Sequence, residues 1–157
     1  MKILKNNEIN SDTIKQIRKI VISDSKETKF FLGISSSNIS VTLPIKNRSF
    51  NIWVLYSDEN NLIGFLTFED EDDGVKFLKG LYIVPRFRKQ GFAKLLINNL
   101  YAEHPKLECK INPGNDVMYK LAKTVKMRGE KSKIDFLKTS EDVPIWWSNY
   151  RNDNDYK

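Results

Sequence analysis

Residues 81–93 read Leu81-Tyr82-Ile83-Val84-Pro85-Arg86-Phe87-Arg88-Lys89-Gln90-Gly91-Phe92-Ala93, and this stretch decides the fold. An apolar strand runs into a proline, a basic turn follows, and a glycine opens a helix. The first N–H groups of a helix have no intrahelical acceptor, and the helix dipole adds about half a positive charge there. Such a turn is suited to an anion. Gly91 lets the backbone approach a phosphate, and small Ala93 keeps the next turn clear. The GxxxxGK[ST] loop is absent, and so is the dinucleotide G-x-G-x-x-G pattern. The bland alternative is a solvated basic loop ahead of a core helix.

Upstream, the pattern is that of strands. Phe50, Ile52, Val54 and Tyr56 alternate, Asp58–Asn61 turns the chain, and Leu62–Phe68 is apolar on both faces, as in an internal strand. Asp73-Gly74 marks a tight turn before Val75, Phe77, Leu81 and Ile83. This predicts an antiparallel three-stranded meander. Downstream, a helix over 91–103 turns Ala93, Leu96, Ile97 and Leu100 inward, and His104-Pro105 stops it. Leu107, Cys109 and Ile111 alternate as a strand. Residues 116–126 return to helix with Val117, Leu121 and Val125 on one face, and strands follow over 132–137 and 145–150. Near the start, a helix begins at Ser11–Thr13, with Thr13 and Gln16 at capping-box spacing. Residues 26–48 give no clear period. The whole predicts a mixed α/β sheet with helices on its faces.

Composition narrows the function. The chain has 157 residues, about one domain's worth, and we expect a single domain over 1–151 with a frayed tail at 152–157. At 40% hydrophobic and 29% charged it can build a core, and wholesale disorder is excluded. No run approaches eighteen apolar residues, so no membrane partner is expected. The start MKILKNNEIN has no apolar core of the signal-peptide kind, which points to the cytoplasm. One cysteine, Cys109, excludes a disulfide scaffold and a cysteine zinc site, and one histidine, His104, argues against a histidine metal centre. We expect no metal. The net charge of +6 favours anionic partners. Its 20 lysines outnumber its 6 arginines, and nucleic-acid reading motifs are missing, so nucleic acid is disfavoured as a partner.

At residues 83–93 the sequence resembles the GNAT superfamily of acetyl-CoA-dependent N-acyltransferases, whose hallmark is V-x-P-x-x-R-x-x-G-x-G/A. Ile83, Pro85, Arg88, Gly91 and Ala93 occupy those places, with isoleucine where valine is common. The resemblance runs from about residue 50 to 137 and is only topological before that. It implies a mostly antiparallel sheet splayed between its fourth and fifth strands. It also implies that Arg88, Lys89, Gln90, Gly91, Phe92 and Ala93 hold the pyrophosphate of acetyl-CoA, while Leu81, Tyr82 and Ile83 pair with the pantetheine arm. Asn112 and Tyr119 have the seven-residue spacing of a second family feature. There the asparagine contacts the coenzyme arm and the tyrosine hydroxyl protonates the departing thiolate, which a phenol within reach can do.

The resemblance implies acetyl transfer to an amine by direct attack in a ternary complex. A lysine amine with pKa near 10.4 costs about 4.6 kcal/mol to neutralise at pH 7. Many family members place a glutamate on the fourth strand as base, but Val75–Val84 offers only Lys76 and Lys79. Glu69 is the nearest candidate, a water relay is the alternative, and an α-amino acceptor would need less help. The missing carboxylate also leaves open a non-catalytic coenzyme-binding module acting through a macromolecular partner. The acidic run Glu69–Asp73 reads as a solvated hairpin tip or as an attractor of cationic acceptors. Trp146 and Trp147, adjacent on a strand, face opposite sides; core packing is the first reading, and the alternative is that one packs on the sheet while the other lines an acceptor groove or a homodimer contact.

Overall fold

The computed structural model describes residues 1–23, 50–111, 115–130 and 145–149. Strand β1 (Lys2–Lys5) precedes helix α1 (Ser11–Ser23). The meander follows as β2 (Phe50–Tyr56), β3 (Leu62–Asp70) and β4 (Lys76–Ile83). Then come α2 (Phe92–Glu103), β5 (Leu107–Ile111), α3 (Asp116–Thr124), β6 (Arg128–Glu130) and β7 (Ile145–Ser148). The strands form one sheet in the order β1-β2-β3-β4-β5-β7-β6. All described pairs are antiparallel except β4–β5, which is parallel.

The expected meander is present, and its last turn is tight because Asp73 and Gly74 both take positive φ, 60° and 75°. Leu62–Phe68 is buried throughout, as an internal strand must be. At Gly64 the strands come so close that a Cβ would lie 2.4 Å from the Tyr82 carbonyl oxygen.

Each face of the sheet has its own core. Trp53, Leu66, Phe68, Leu78 and Leu81 pack with Leu96, Ile97 and Leu100 of α2 and with Met118 and Ala122 of α3. On the opposite face Ile52, Val54, Phe65 and Tyr82 pack with Ile17 of α1. Alternation along the strands sends neighbouring residues to opposite layers, so each buried strand serves both.

Several expectations need correction. β1 was not foreseen, because four residues with lysine at each end carry little periodic signal; it pairs along β2 as an edge. The α1 cap is Asn10, whose Oδ1 accepts from Thr13 N–H at 2.9 Å, so Thr13 and Gln16 are not a capping box. Thr13 is buried instead, its Oγ1 2.7 Å from the Tyr56 hydroxyl. On α3 Leu121 packs against the core and Val125, just past its end, is buried, as expected, but Met118 and Ala122 join them there while Val117 is 70% exposed. The Asn115 side chain accepts from Met118 N–H at 3.2 Å and caps the helix start. Strand β6 lies before the expected 132–137 strand, which is outside the described residues, as are 26–48 and the tail 152–157.

Candidate active site: a splayed sheet and an anion-binding turn

The sheet opens between β4 and β5. Their parallel register covers only Lys76↔Leu107, Phe77↔Glu108 and Leu78↔Cys109, while β4 continues to Ile83. The opening starts at a bulge. β3 pairs Thr67 with Gly80 and Phe68 with Leu78, so Lys79 is an extra residue on β4. Past it, the β4 edge over Leu81, Tyr82 and Ile83 pairs with β3 on one side, and no described strand pairs with it on the other.

β4 ends at the basic turn. Pro85–Phe87 makes a single 3₁₀ turn, with Pro85 at its start, where a missing N–H costs nothing. Phe87 and Phe92 meet edge to face at 6.1 Å and pin the turn to the start of α2. Arg88 Nε donates to the Ile83 carbonyl at 2.8 Å, and its guanidinium lies over the Tyr82 ring, 5.3 Å from the centroid. Gln90 Nε2 donates to Arg86 O at 3.2 Å. Lys89 and Gly91 both take left-handed backbone, with φ of 61° and 85°. Such alternation turns successive N–H groups into a concave anion cradle. The first helical bond is Leu95 N–H to Gly91 O at 3.0 Å, so helix geometry leaves the N–H groups of Phe92, Ala93 and Lys94 for a ligand. A Cβ on Gly91 would meet nothing within 4 Å, so the turn is open to solvent there. Phe92 and Ala93 are themselves half-buried against the core.

The remaining candidates fall on two sides of the opening. Tyr119 sits in α3, four residues past the Asn115 cap, half-buried against the core shared with α2. Asn112 lies outside the described residues. Glu69, half-buried near the end of β3, pairs with Lys79, Oε2 to Nζ 3.6 Å, and Lys79 Nζ also lies 4.7 Å from the Phe77 centroid. This exposed pair is worth little in stability. It does bring Glu69 beside the bulge.

Sequence reading missed Glu108. Leu107, Cys109 and Ile111 belong to the core under α2 and α3, so alternation sends Glu108 to the α1 face. A strand carboxylate is ordinarily solvated, yet Glu108, on an internal strand, is only 7% exposed. In register it flanks Phe77, whose other cross-strand neighbour is Glu69. Two carboxylate residues thus bracket β4 where the sheet begins to open. The only available signal was a lone carboxylate between apolar strand residues. Its neighbour Cys109 is buried, and burial pushes the thiol up to about 12, with the Glu108 charge adding to the effect. A thiol held protonated in this way is no nucleophile.

The arrangement is an opened sheet whose fourth strand leads into a basic turn at a helix start. The Acetyltransferase (GNAT) family model matches residues 24–140, and the chain belongs to that family. Solved structures agree on the fold. An acetyltransferase of the GNAT family from Staphylococcus aureus Mu50 superposes with a TM-score of 0.70 at 13% identity, covering 96% of this chain and 99% of its own. Spermidine N-acetyltransferase from Vibrio cholerae, in complex with CoA and spermine, gives 0.68 at 14% identity, with 94% and 92% covered. The ribosomal-protein-S18-alanine N-acetyltransferase from Escherichia coli gives 0.67 at 11% identity, with 98% and 97% covered. A search of curated proteins finds no match. Among the described residues no helix is long and apolar enough to cross a membrane, and no cluster of three or more His, Cys, Asp or Glu could hold a metal.

Proposed function

We propose that the protein transfers acetyl from acetyl-CoA to a primary amine by direct attack in a ternary complex. One observation carries this reading: the β4–β5 pairing ends at Leu78, and β4 runs on, with no described strand beside it there, to the basic turn at its far end. From Lys79 to Ile83 is ~13 Å of strand at 3.3 Å per residue, a span for an extended arm between phosphate and thioester. The turn at Arg88–Ala93 takes the pyrophosphate, the edge of Leu81–Ile83 that faces away from β3 takes the arm, and the thioester reaches the bulge. A solved neighbour holds CoA, and another, a streptothricin acetyltransferase from Bacillus anthracis by its description, holds acetyl coenzyme A.

Main-chain N–H groups of β4 beyond Leu78 polarise the thioester carbonyl and stabilise the oxyanion that forms there. The amine nitrogen bonds to the acyl carbon and the carbon–sulfur bond breaks. Glu108 takes the proton that the nitrogen loses, and Tyr119 gives one to the thiolate. Glu108 is buried beside the opening, and Glu69 across Phe77 is the alternative base, paired with Lys79 at 3.6 Å. The acceptors named for two neighbours, spermidine and an alanine of ribosomal protein S18, are amines of different size. We place the protein in the cytoplasm, where acetyl-CoA is made available to it.

The test is release of free thiol from acetyl-CoA against a panel of polyamines, peptides with free N-termini and lysine peptides. Glu108→Gln should lower kcat by about 10²-fold or more with acetyl-CoA affinity intact. Coenzyme binding with no acceptor turned over would favour the binding-module reading instead.

A further inference from the structure

Within β4, only Lys79 has no cross-strand partner in the described registers. β3 matches Thr67 with Gly80 and Phe68 with Leu78, and the β4–β5 register stops one residue before Lys79. A bulge re-aims the side chain that it carries. Leu78 belongs to the core under α2, so Phe77 faces the α1 side of the sheet. Lys79 Nζ lies on that side too, 4.7 Å from the Phe77 centroid and 3.6 Å from Glu69 Oε2. Lys79 is exposed where Phe77, Leu78, Gly80 and Leu81 are all buried. Its ammonium ends a flexible four-carbon stem, and an exposed ion pair is weak, so the stem can swing from its Cα to the edge that faces away from β3. Two other lysines are near. Lys76 lies inside the β4–β5 register and is bonded to Asp70, and Lys110 stands on β5, paired in register with Trp146.

We infer that Lys79 is a self-acetylation site, whose side-chain nitrogen takes the acetyl group from acetyl-CoA bound to its own chain. This rests on the acetyl-transfer reading above, which brings the thioester to the bulge. Lys79 is the residue at that bulge, and its amine belongs to the strand that holds the coenzyme. Glu69, already beside the ammonium, takes one proton and uncovers the lone pair. The nitrogen bonds to the acyl carbon and the carbon–sulfur bond breaks, leaving an amide on Lys79 and free coenzyme A. Of the two protons the nitrogen gives up, one passes through Glu69 to solvent. The other balances the proton that Tyr119 gives to sulfur. Delivery within one chain favours the step, because the amine is held beside the acyl carbon. The amide carries no charge, so the pair with Glu69 is lost and Lys79 no longer engages that carboxylate.

The test is intact mass and peptide mapping of the full chain, before and after incubation with acetyl-CoA and no acceptor. One acetyl group should collect on Lys79, at least about tenfold faster than on Lys76 or Lys110, and dilution of the protein should not change the rate. Lys79→Arg should lose that acetyl group and keep the acetyl-CoA thermal shift. Gly91→Glu, which retains Lys79 but blocks the basic turn, should stay unmodified even when mixed with wild type. Acetylation of Lys110 instead, similar rates on many lysines, or none on Lys79 overturns the inference. Turnover of added amines then leaves acetyl transfer standing, and no turnover removes both. Labelling of Gly91→Glu by wild type makes the transfer one between copies and also overturns the inference.

Discussion

Arg88 Nε donates to the carbonyl oxygen of Ile83 at 2.8 Å, so the motif arginine ties the basic turn back to the strand that leads into it. Its planar group also covers Tyr82. The arginine thereby shapes the cradle from behind, beyond whatever charge it offers a phosphate. Arg88→Met keeps a long apolar stem and loses the bond. We expect acetyl-CoA affinity to weaken about tenfold and stability to fall by about 1 kcal/mol, read by calorimetry and by chemical denaturation. Unchanged affinity would remove the turn from the coenzyme site.

Gly91 separates backbone strain from ligand exclusion. At φ 85° any Cβ costs about 1–2 kcal/mol, but the position has open space, so Gly91→Ala should fold with that loss and little else. Gly91→Glu adds bulk and negative charge where the proposed site would put the phosphates. Acetyl-CoA at millimolar concentration should raise the wild-type Tm and leave that of Gly91→Glu unmoved. Equal shifts in the two proteins would place the phosphates elsewhere.

Tyr119→Phe keeps the ring that packs between α2 and α3 and removes only the hydroxyl. We expect kcat to fall about 10²–10⁴-fold with acetyl-CoA affinity retained. Turnover at the wild-type rate would make Tyr119 a packing residue and leave water to protonate the thiolate.

His104 caps the end of α2, its N–H on the Leu100 carbonyl at 2.8 Å, with its ring against Trp53 and Phe68. Burial lowers its pKa below the ordinary 6.5, and Lys76 on β4 and Lys5 on β1 push the same way against Glu103 and Asp70. As pH falls through 6.5 the unfolded chain takes up a proton that the native state resists, so stability falls from there to the folded pKa and then levels. For Asp70, burial pushes up, but hydrogen bonds from Lys76 and Asn51 win, and the net shift is below 3.8. Its contribution is present above pH 3.8 and is lost as pH falls through the lower folded value. Denaturation midpoints between pH 7.5 and 5 should decline in wild type and stay flatter in His104→Gln. Parallel curves would assign the acid loss to other groups.

What the sequence by itself determined is local. Alternation at Phe50–Ile83, the Asp73-Gly74 turn, the helix after Gly91 and the proline–basic–glycine turn each follow from contacts within a few residues, and the structure has them all. Tertiary structure decided what depends on strands far apart in the chain. β1 acquires its role only by lying along β2. On α3 packing buried Leu121 and Val125 of the expected stripe but took Met118 in place of Val117. The opening between β4 and β5 is a matter of where a parallel register stops, which no spacing along one strand encodes. Glu108 reads as an ordinary strand carboxylate and gains meaning from its burial beside that opening. Burial and register are properties of neighbours brought together by folding, and a polar group's chemistry changes with the water it loses.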